Sequence, residues 1–355
     1  MTANGPLTGL RFVEFASIGP GPHCAMMFAD MGADVLRIER AGGNGFPNSI
    51  ADRGRAILTL DLRREEDRQT AICAVSASDV LIEGYRPGVM ERLGLGPEPM
   101  LSLNPRLIYG RMTGWGQNGP LAPTAGHDIN YIALTGALAA IGKPGEPATP
   151  PLNLVGDFGG GSMLLAFGVL AALYERERSG LGQVVDAAII DGVNSLMSFF
   201  AGLKREGSIS VERSENFLGG AAPYYRCYTC ADGKDISIGA IEPHFFAIVC
   251  EKMQAPDFVS QEREAWTQTT QWFETAFASE SRVHWEKMFE GADACVAPVL
   301  TLEEAAHNLH NVSRGAFVES GPSPVAAPAP RFSRTPGAIQ ETRRGEDVLT
   351  AWLYR

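Results

Sequence analysis

His127, Asp157 and Glu242 stand in three separate glycine-bounded segments: Gly126-His127-Asp128-Ile129-Asn130-Tyr131, Asn153-Leu154-Val155-Gly156-Asp157-Phe158-Gly159-Gly160-Gly161 and Gly239-Ala240-Ile241-Glu242-Pro243-His244. An imidazole titrates near neutrality and can accept or donate a proton at a working pH. Oriented by one carboxylate and facing a second, it makes a two-base arrangement that can take a proton from one side of a carbon and return one to the other. Each segment also has a plain structural reading. His127 could be a satisfied loop residue, Asp157 an N-cap of the apolar helix that follows, and Glu242 an acid at a helix start. Asp128 is expected to bind a ligand or to orient its loop.

The elements that must carry these residues alternate along the N-terminal half. Apolar strands are expected at residues 10–15, 34–39, 57–62, 79–83 and 106–110. Helical composition lies between them, from the Gly/Pro turn at 17–22 to Gly32 and over residues 63–77. Short apolar strands separated by helices imply a parallel α/β sheet. Residues 159–178 read as an apolar helix closed by two arginines and Gly180, with Asp157 just before it; a strand at 184–189 and another helix from Asp191 follow. Beyond residue 219 the texture changes to a hairpin around Ala231-Asp232-Gly233-Lys234 with helices at 243–253, 272–278 and 284–290. The expected division is a large α/β domain over 1–200 with a C-terminal return at 337–355 and a small α+β domain over 220–310. Linkers are expected at 201–219 and 311–336.

The 355 residues carry 41 acidic against 30 basic side chains, a net charge of −11, with 45% hydrophobic and 20% charged residues. This is the ordinary composition of a globular enzyme. The acidic balance argues against nucleic acid, whose phosphates call for Lys and Arg clusters. No run of about 18 apolar residues stands out as a membrane span. Neither end carries a secretory or peroxisomal signal, so the cytoplasm is the expected location. Cys227 and Cys230 have CxxC spacing but fall in a strand-like stretch without a second pair, and a structural role is expected. The remaining histidines show no metal-ligand spacing.

Gly19-Pro20-Gly21-Pro22-His23-Cys24, with Glu39 ending the next strand, invites a dinucleotide reading. Cys24 stands where the third glycine belongs, and the prolines remove N–H donors a pyrophosphate would need, so nicotinamide binding is not expected. Arg37, Arg40, Arg53, Arg55, Arg63, Arg86 and Arg92 follow or border the N-terminal strands. Their forked, always-charged guanidinium groups suit a polyphosphate; the alternative is solvated surface charge.

Together the three acid–base segments and Glu83-Gly84-Tyr85-Arg86-Pro87-Gly88-Val89 resemble the α-methylacyl-CoA racemase branch of the family III CoA-transferase superfamily, the CaiB/BaiF type. The resemblance covers nearly the whole chain. It implies a Rossmann-like large domain, a smaller α+β domain, and epimerisation of 2-methyl-branched acyl-CoA thioesters through an enolate. His127 paired with Glu242 would exchange the proton on one face and Asp157 on the other. Oxyanion donors would come from backbone N–H groups near Asp157 at the helix start. CoA or substrate contacts are expected at Arg40, Arg55, Leu60, Glu83, Gly84, Tyr85, Arg86, Arg92, Gly126, Asp128, Ile129, Asn130, Tyr131, Asn153 and Tyr225. No metal or other cofactor is called for, CoA being part of the substrate.

Members of this kind form interlocked homodimers, with the site between the large domain of one subunit and the small domain of its partner. Glu242 would then reach His127 from the other chain. The match loosens after about residue 245 and across residues 42–52, which leaves the acyl pocket open. Met163, Met197, Phe199 and Phe200 could line it or be simple core. The rival reading is a family III CoA-transferase, in which Asp157 is a nucleophile forming an acyl anhydride. Transferases of the family generally lack the histidine–glutamate pair. A non-catalytic CoA-binding protein is a third reading, opposed by the intact acid–base set.

Overall fold

A computed structural model describes residues 5–43 and 47–354. The first four residues, read above for a leader, and residues 44–46 of the divergent stretch lie outside the described residues, as does Arg355. The chain opens with β1 (Arg11–Phe15), α1 (Pro20–Asp30), β2 (Asp34–Glu39), β3 (Arg55–Thr59), α2 (Glu65–Ser76) and β4 (Val80–Glu83). Next come α3 (Val89–Arg92), α4 (Pro97–Leu103), β5 (Ile108–Thr113), α5 (Asp128–Ala133) and α6 (Ala137–Ala140). A π-helical stretch, Leu154–Ser162, runs into α7 (Met163–Ser179), followed by β6 (Gln183–Ala188), α8 (Ile189–Leu196) and α9 (Ser198–Arg205). Then follow β7 (Tyr225–Thr229), β8 (Asp235–Gly239), α10 (Pro243–Met253), α11 (Trp266–Phe277), α12 (Arg282–Phe289) and β9 (Val296–Pro298). The last elements are α13 (Leu302–His307), α14 (Leu309–Ser313), β10 (Phe317–Ser320), β11 (Ser323–Ala326), β12 (Arg343–Arg344) and α15 (Gly345–Leu353).

These elements form two compact units. The first comprises Met1–Thr135, Pro151–Met197 and Phe317–Arg355; the second comprises Gly136–Pro150 and Ser198–Ala316. The first is built on a seven-stranded sheet in the order β12-β3-β2-β1-β4-β5-β6, every neighbouring pair parallel. Strands of such a sheet are covered on both faces and so read as unbroken apolar runs. Phe12, Val13, Phe15, Leu36, Ile38, Leu81 and Ile82 are accordingly all buried. The second unit holds the antiparallel sheet β7-β8-β9 over a core of Tyr228, Phe246, Phe273, Phe277 and Trp285. Two expected linkers carry structure: α9 runs from Ser198 into residues 201–219, and the β10–β11 hairpin falls within 311–336.

Strand ends differ from expectation where charge is buried. β3 starts at Arg55 and β5 runs through Arg111, because these guanidinium groups are neutralised inside the sheet rather than hydrated at its rim. Arg55 Nε donates to Glu14 Oε2 at 3.0 Å; Arg111 Nε donates to Glu83 Oε1 at 2.9 Å. The apolar helix also starts earlier than expected, so Asp157 lies in the first turn of the π-helical stretch and Asn153 takes the N-cap position. Three consecutive glycines lower intrinsic helicity, but they permit close packing. A Cβ on Gly192 of α8 would collide with the Gly160 carbonyl. The combined helix Leu154–Ser179 is long and apolar enough to cross a membrane by length and composition, against the expectation of no such run. In the first unit it packs against β5, β6, α1 and α8.

Candidate active site

In an open parallel sheet, ligands settle beyond the strand C-termini where the strand order reverses. Here β1 has β2 on one side and β4 on the other. Two concavities lie along that edge. A cleft of about 510 Å³ is lined by Ser17, Ile18 and Pro20 after β1, Gly84 to Pro87 after β4, Thr113 to Trp115 at the end of β5, and Ile189 after β6. His127, Asp128, Tyr131, Asn153 and Asp157 complete its wall. A second concavity of about 350 Å³ is lined by Ile38, Glu39, Arg40, Leu60, Arg63 and Tyr85. Tyr85 lines both.

His127 is exposed in the first cleft at the N-cap position of α5, in extended backbone, with its N–H donating to Asn130 Oδ1 at 3.1 Å. The loop before it is clamped by Tyr131, whose Oη donates to the Gly126 carbonyl. The Tyr131 ring occupies space that side chains at Gly114 and Gly126 would need, and Trp115 meets it edge-on with centroids 4.7 Å apart. Glycine is therefore dictated at both positions by an aromatic ring.

Asp157 is half-buried. Its Oδ2 accepts from Asn153 Nδ2 at 3.2 Å and faces Gly19, where a Cβ would come within 3.0 Å of it. Burial pushes its pKa above the ordinary aspartate value and the negative Asp128 adds to this, while Asn153 and the charge of His127 oppose it. The Asp157 N–H is not free for a developing oxyanion, contrary to the expected placement of such donors: it donates to Asp128 Oδ1 at 2.7 Å. The Asp128 carboxylate packs against Gly156, and its own pKa is raised chiefly by burial. Among the described residues nothing accepts a hydrogen bond from the N–H of Asp128 or Ile129, which open α5.

The expected ligand contacts divide. Gly84, Tyr85, Arg86, Gly126, Asp128, Tyr131 and Asn153 line the first cleft, and Arg40, Leu60 and Tyr85 the second. Arg92 is exposed on α3, and Ile129 and Asn130 are exposed on α5, outside both linings. Arg55 does not fit the expectation. It is fully buried, bonded to Glu14, to the Arg53 carbonyl and to the Pro22 carbonyl, with no surface left for a ligand. Arg37 and Arg53 are likewise buried ion-pair partners, of Glu39 and Asp52 and of Asp30 respectively, rather than phosphate hooks or surface charge. Glu83 is also fully enclosed; its Oε2 accepts the Tyr85 N–H at 2.7 Å and so shapes the ligand loop from behind.

Glu242 and Tyr225 belong to the second unit. Glu242 is exposed at the N-cap position of α10, ahead of Pro243. Tyr225 lines a concavity of about 490 Å³ together with Gly220, Cys227, Gly239 and Cys295. Cys227 is exposed and Cys230 buried, and neither is in a disulfide. Met163, Met197, Phe199 and Phe200 line none of these concavities. Met163 and Phe199 are exposed, which also removes them from the core. The sequence reading missed Trp115, Met112 and Ile189 of the cleft wall, although their position at or just after the strand ends of β5 and β6 was the available signal. The Trp115 Nε1 is buried without a hydrogen-bond partner among the described residues.

A Rossmann-like sheet with two concavities beyond its strand C-termini, one of them lined by a histidine and a carboxylate of raised pKa, has the layout of an α/β enzyme for an extended ligand. Residues 7–347 match CoA-transferase family III, and the chain belongs to that family. It is 44% identical over 346 residues to the alpha-methylacyl-CoA racemase of Mus musculus, covering 96% of this chain and 90% of that protein. Identity to the alpha-methylacyl-CoA racemase of Homo sapiens is 41% over 344 residues, covering 95% and 89%. The fold matches the crystal structure of a CAIB/BAIF family protein from Brucella suis with a TM-score of 0.82 at 23% identity, over 98% of this chain and all of that one.

Proposed function

We propose that this protein is a racemase that interconverts (2R)- and (2S)-2-methylacyl-CoA thioesters by exchanging the α-proton through an enolate. The observation that carries the reading is the placement of the His127 imidazole and the Asp157 carboxylate, far apart in sequence, on the wall of one cleft. The thioester carbonyl acidifies the α-hydrogen; one group removes it from one face and the other returns a proton to the opposite face. A positioned acid or base contributes about 10²–10⁴-fold. The upward push on Asp157 suits a group that must hold its proton in one direction of reaction and release it in the other. The enolate oxygen is best served by the unused N–H group of Asp128, a donor of this kind stabilising the transition state by roughly 2.7–4 kcal/mol. The two concavities that share Tyr85 suit the reactive thioester in the first and the nucleotide end of CoA in the second, with Arg40 and Arg86 exposed for phosphate.

Glu242 is proposed to bond the His127 imidazole and steady its charged form, reaching it from a second copy in a homodimer. Support for assembly comes from α7, whose Met163, Phe167, Leu170 and Tyr174 form an exposed apolar stripe at helical spacing. The rival role for Asp157, a nucleophile in CoA transfer, predicts strict dependence on an acceptor acid. Incubation of a pure (2R)-2-methylacyl-CoA in heavy water without acceptor separates the two. Deuterium entry at the α-carbon with loss of stereochemistry is expected. Turnover only on addition of a carboxylic acid would reassign the enzyme to transfer.

A further inference from the structure

Asp128 is bound to both proton-transfer segments at once. Through its own peptide it continues from His127 into the first turn of α5, and through its side chain it accepts the Asp157 N–H at 2.7 Å. Among the described residues, the hydrogen bond that joins residues 126–131 to residues 153–162 ends on this carboxylate. The contact is closely fitted. Gly156 is fully buried, and a Cβ there would strike Asp128 Oδ1 and reach within 3.0 Å of Ile132. The His127 end is rigid as well, since Asn130 holds the His127 N–H and Tyr131 holds the Gly126 carbonyl. Sequence analysis gave Asp128 as a ligand contact or as a residue that orients its loop; in the structure it lines the cleft while its carboxylate accepts the main-chain amide of Asp157 in the other segment.

We infer that Asp128 is a positioning residue that sets the separation of His127 and Asp157 across the substrate carbon. The inference rests on the two-base reading above. Inversion needs both groups within reach of one carbon at the same time, whereas exchange with retention needs only one. A link that fixes their separation therefore controls inversion more strongly than it controls proton removal. Reactions of this kind lose about 10²-fold for a misplacement of about 1 Å.

The test uses the full-length enzyme and both epimers of one 2-methylacyl-CoA in heavy water, with α-deuterium entry and inversion measured separately. Asp128→Asn keeps a carbonyl oxygen for the Asp157 amide and is expected to restore most of the inversion that Asp128→Ala loses, with a ratio of exchange to inversion close to the parent's. Asp128→Ala is expected to lose inversion by about 10²-fold while exchange with retention falls at least about tenfold less, with KM changed by less than about threefold. If the alanine variant does not fold, Asp128→Ser, which keeps polarity without reach, takes its place. A raised KM with an unchanged ratio of exchange to inversion would overturn the inference in favour of a ligand contact. Equal losses of exchange and inversion, or inversion at the parental rate, would also overturn it. Absence of deuterium entry in the parent enzyme would instead strike the racemase reading, and this inference with it.

Discussion

A carboxylate can act as a base only when ionised. Burial and the negative Asp128 push the Asp157 pKa upward, against Asn153 and His127, so the acid limb of kcat/KM should lie at higher pH than an ordinary aspartate gives. Activity should fall as pH drops through that limb. Asp128→Asn removes one of the upward pushes and should move the limb to lower pH, read from the pH profile of α-proton exchange. The two classes of arginine make a second prediction. Arg86→Ala should raise KM about tenfold with little change in kcat, as expected for a lost charge-assisted contact to a phosphate. Arg55→Met should leave the buried Glu14 with only the more distant Arg37, at 3.9 Å, and cost about 3 kcal/mol of stability, visible as a lower Tm. The sequence did not distinguish these arginines. A guanidinium after a strand looks the same whether it faces solvent or an acid from another strand, and Glu14 lies 41 residues from Arg55.

At the level of elements, the order of strands and helices in the first unit was legible because a two-sided parallel sheet writes itself as continuous apolar runs. Pro243–Met253 was read to the residue, its start marked by Glu242-Pro243. The beginning of the long apolar helix was not legible. Gly159, Gly160 and Gly161 suggest a boundary by local propensity, yet packing of their bare backbone against α8 carries the helix five residues further back, to Leu154. A π-helical turn of this kind is often found at functional sites, and here it holds Asp157. Gly192→Ala should test that packing. Its methyl would press on the Gly160 carbonyl, cost about 1–3 kcal/mol, lower Tm by several degrees and reduce kcat through displacement of Asp157. Thermal melts and steady-state kinetics on the same preparation check both parts.

For the whole molecule, the reading depends on a residue from the second unit acting on a residue of the first. If Glu242 serves the His127 of a partner chain, neither His127→Ala nor Glu242→Gln homodimers should be active. Co-purified mixed dimers should regain one working site, measured as α-proton exchange per dimer. Recovery limited to either parent's residual rate would place the pair within one chain. The sequence made Glu242 a candidate through resemblance alone, because nothing in its own segment marks it as more than an acid ahead of a proline.

The first unit is closed by residues that come after the whole of the second. β12 covers the outer edge of β3, and Trp352 Nε1 donates to Asp34 Oδ2 at 2.7 Å. On the ribosome, β3 therefore emerges long before the strand that shields its flank, and it waits unprotected while the intervening chain is synthesised. An open strand edge is a template for adhesion to other polypeptides. Production of this enzyme in a host poor in chaperones should accordingly be limited by nascent-chain aggregation rather than by the durability of the finished protein.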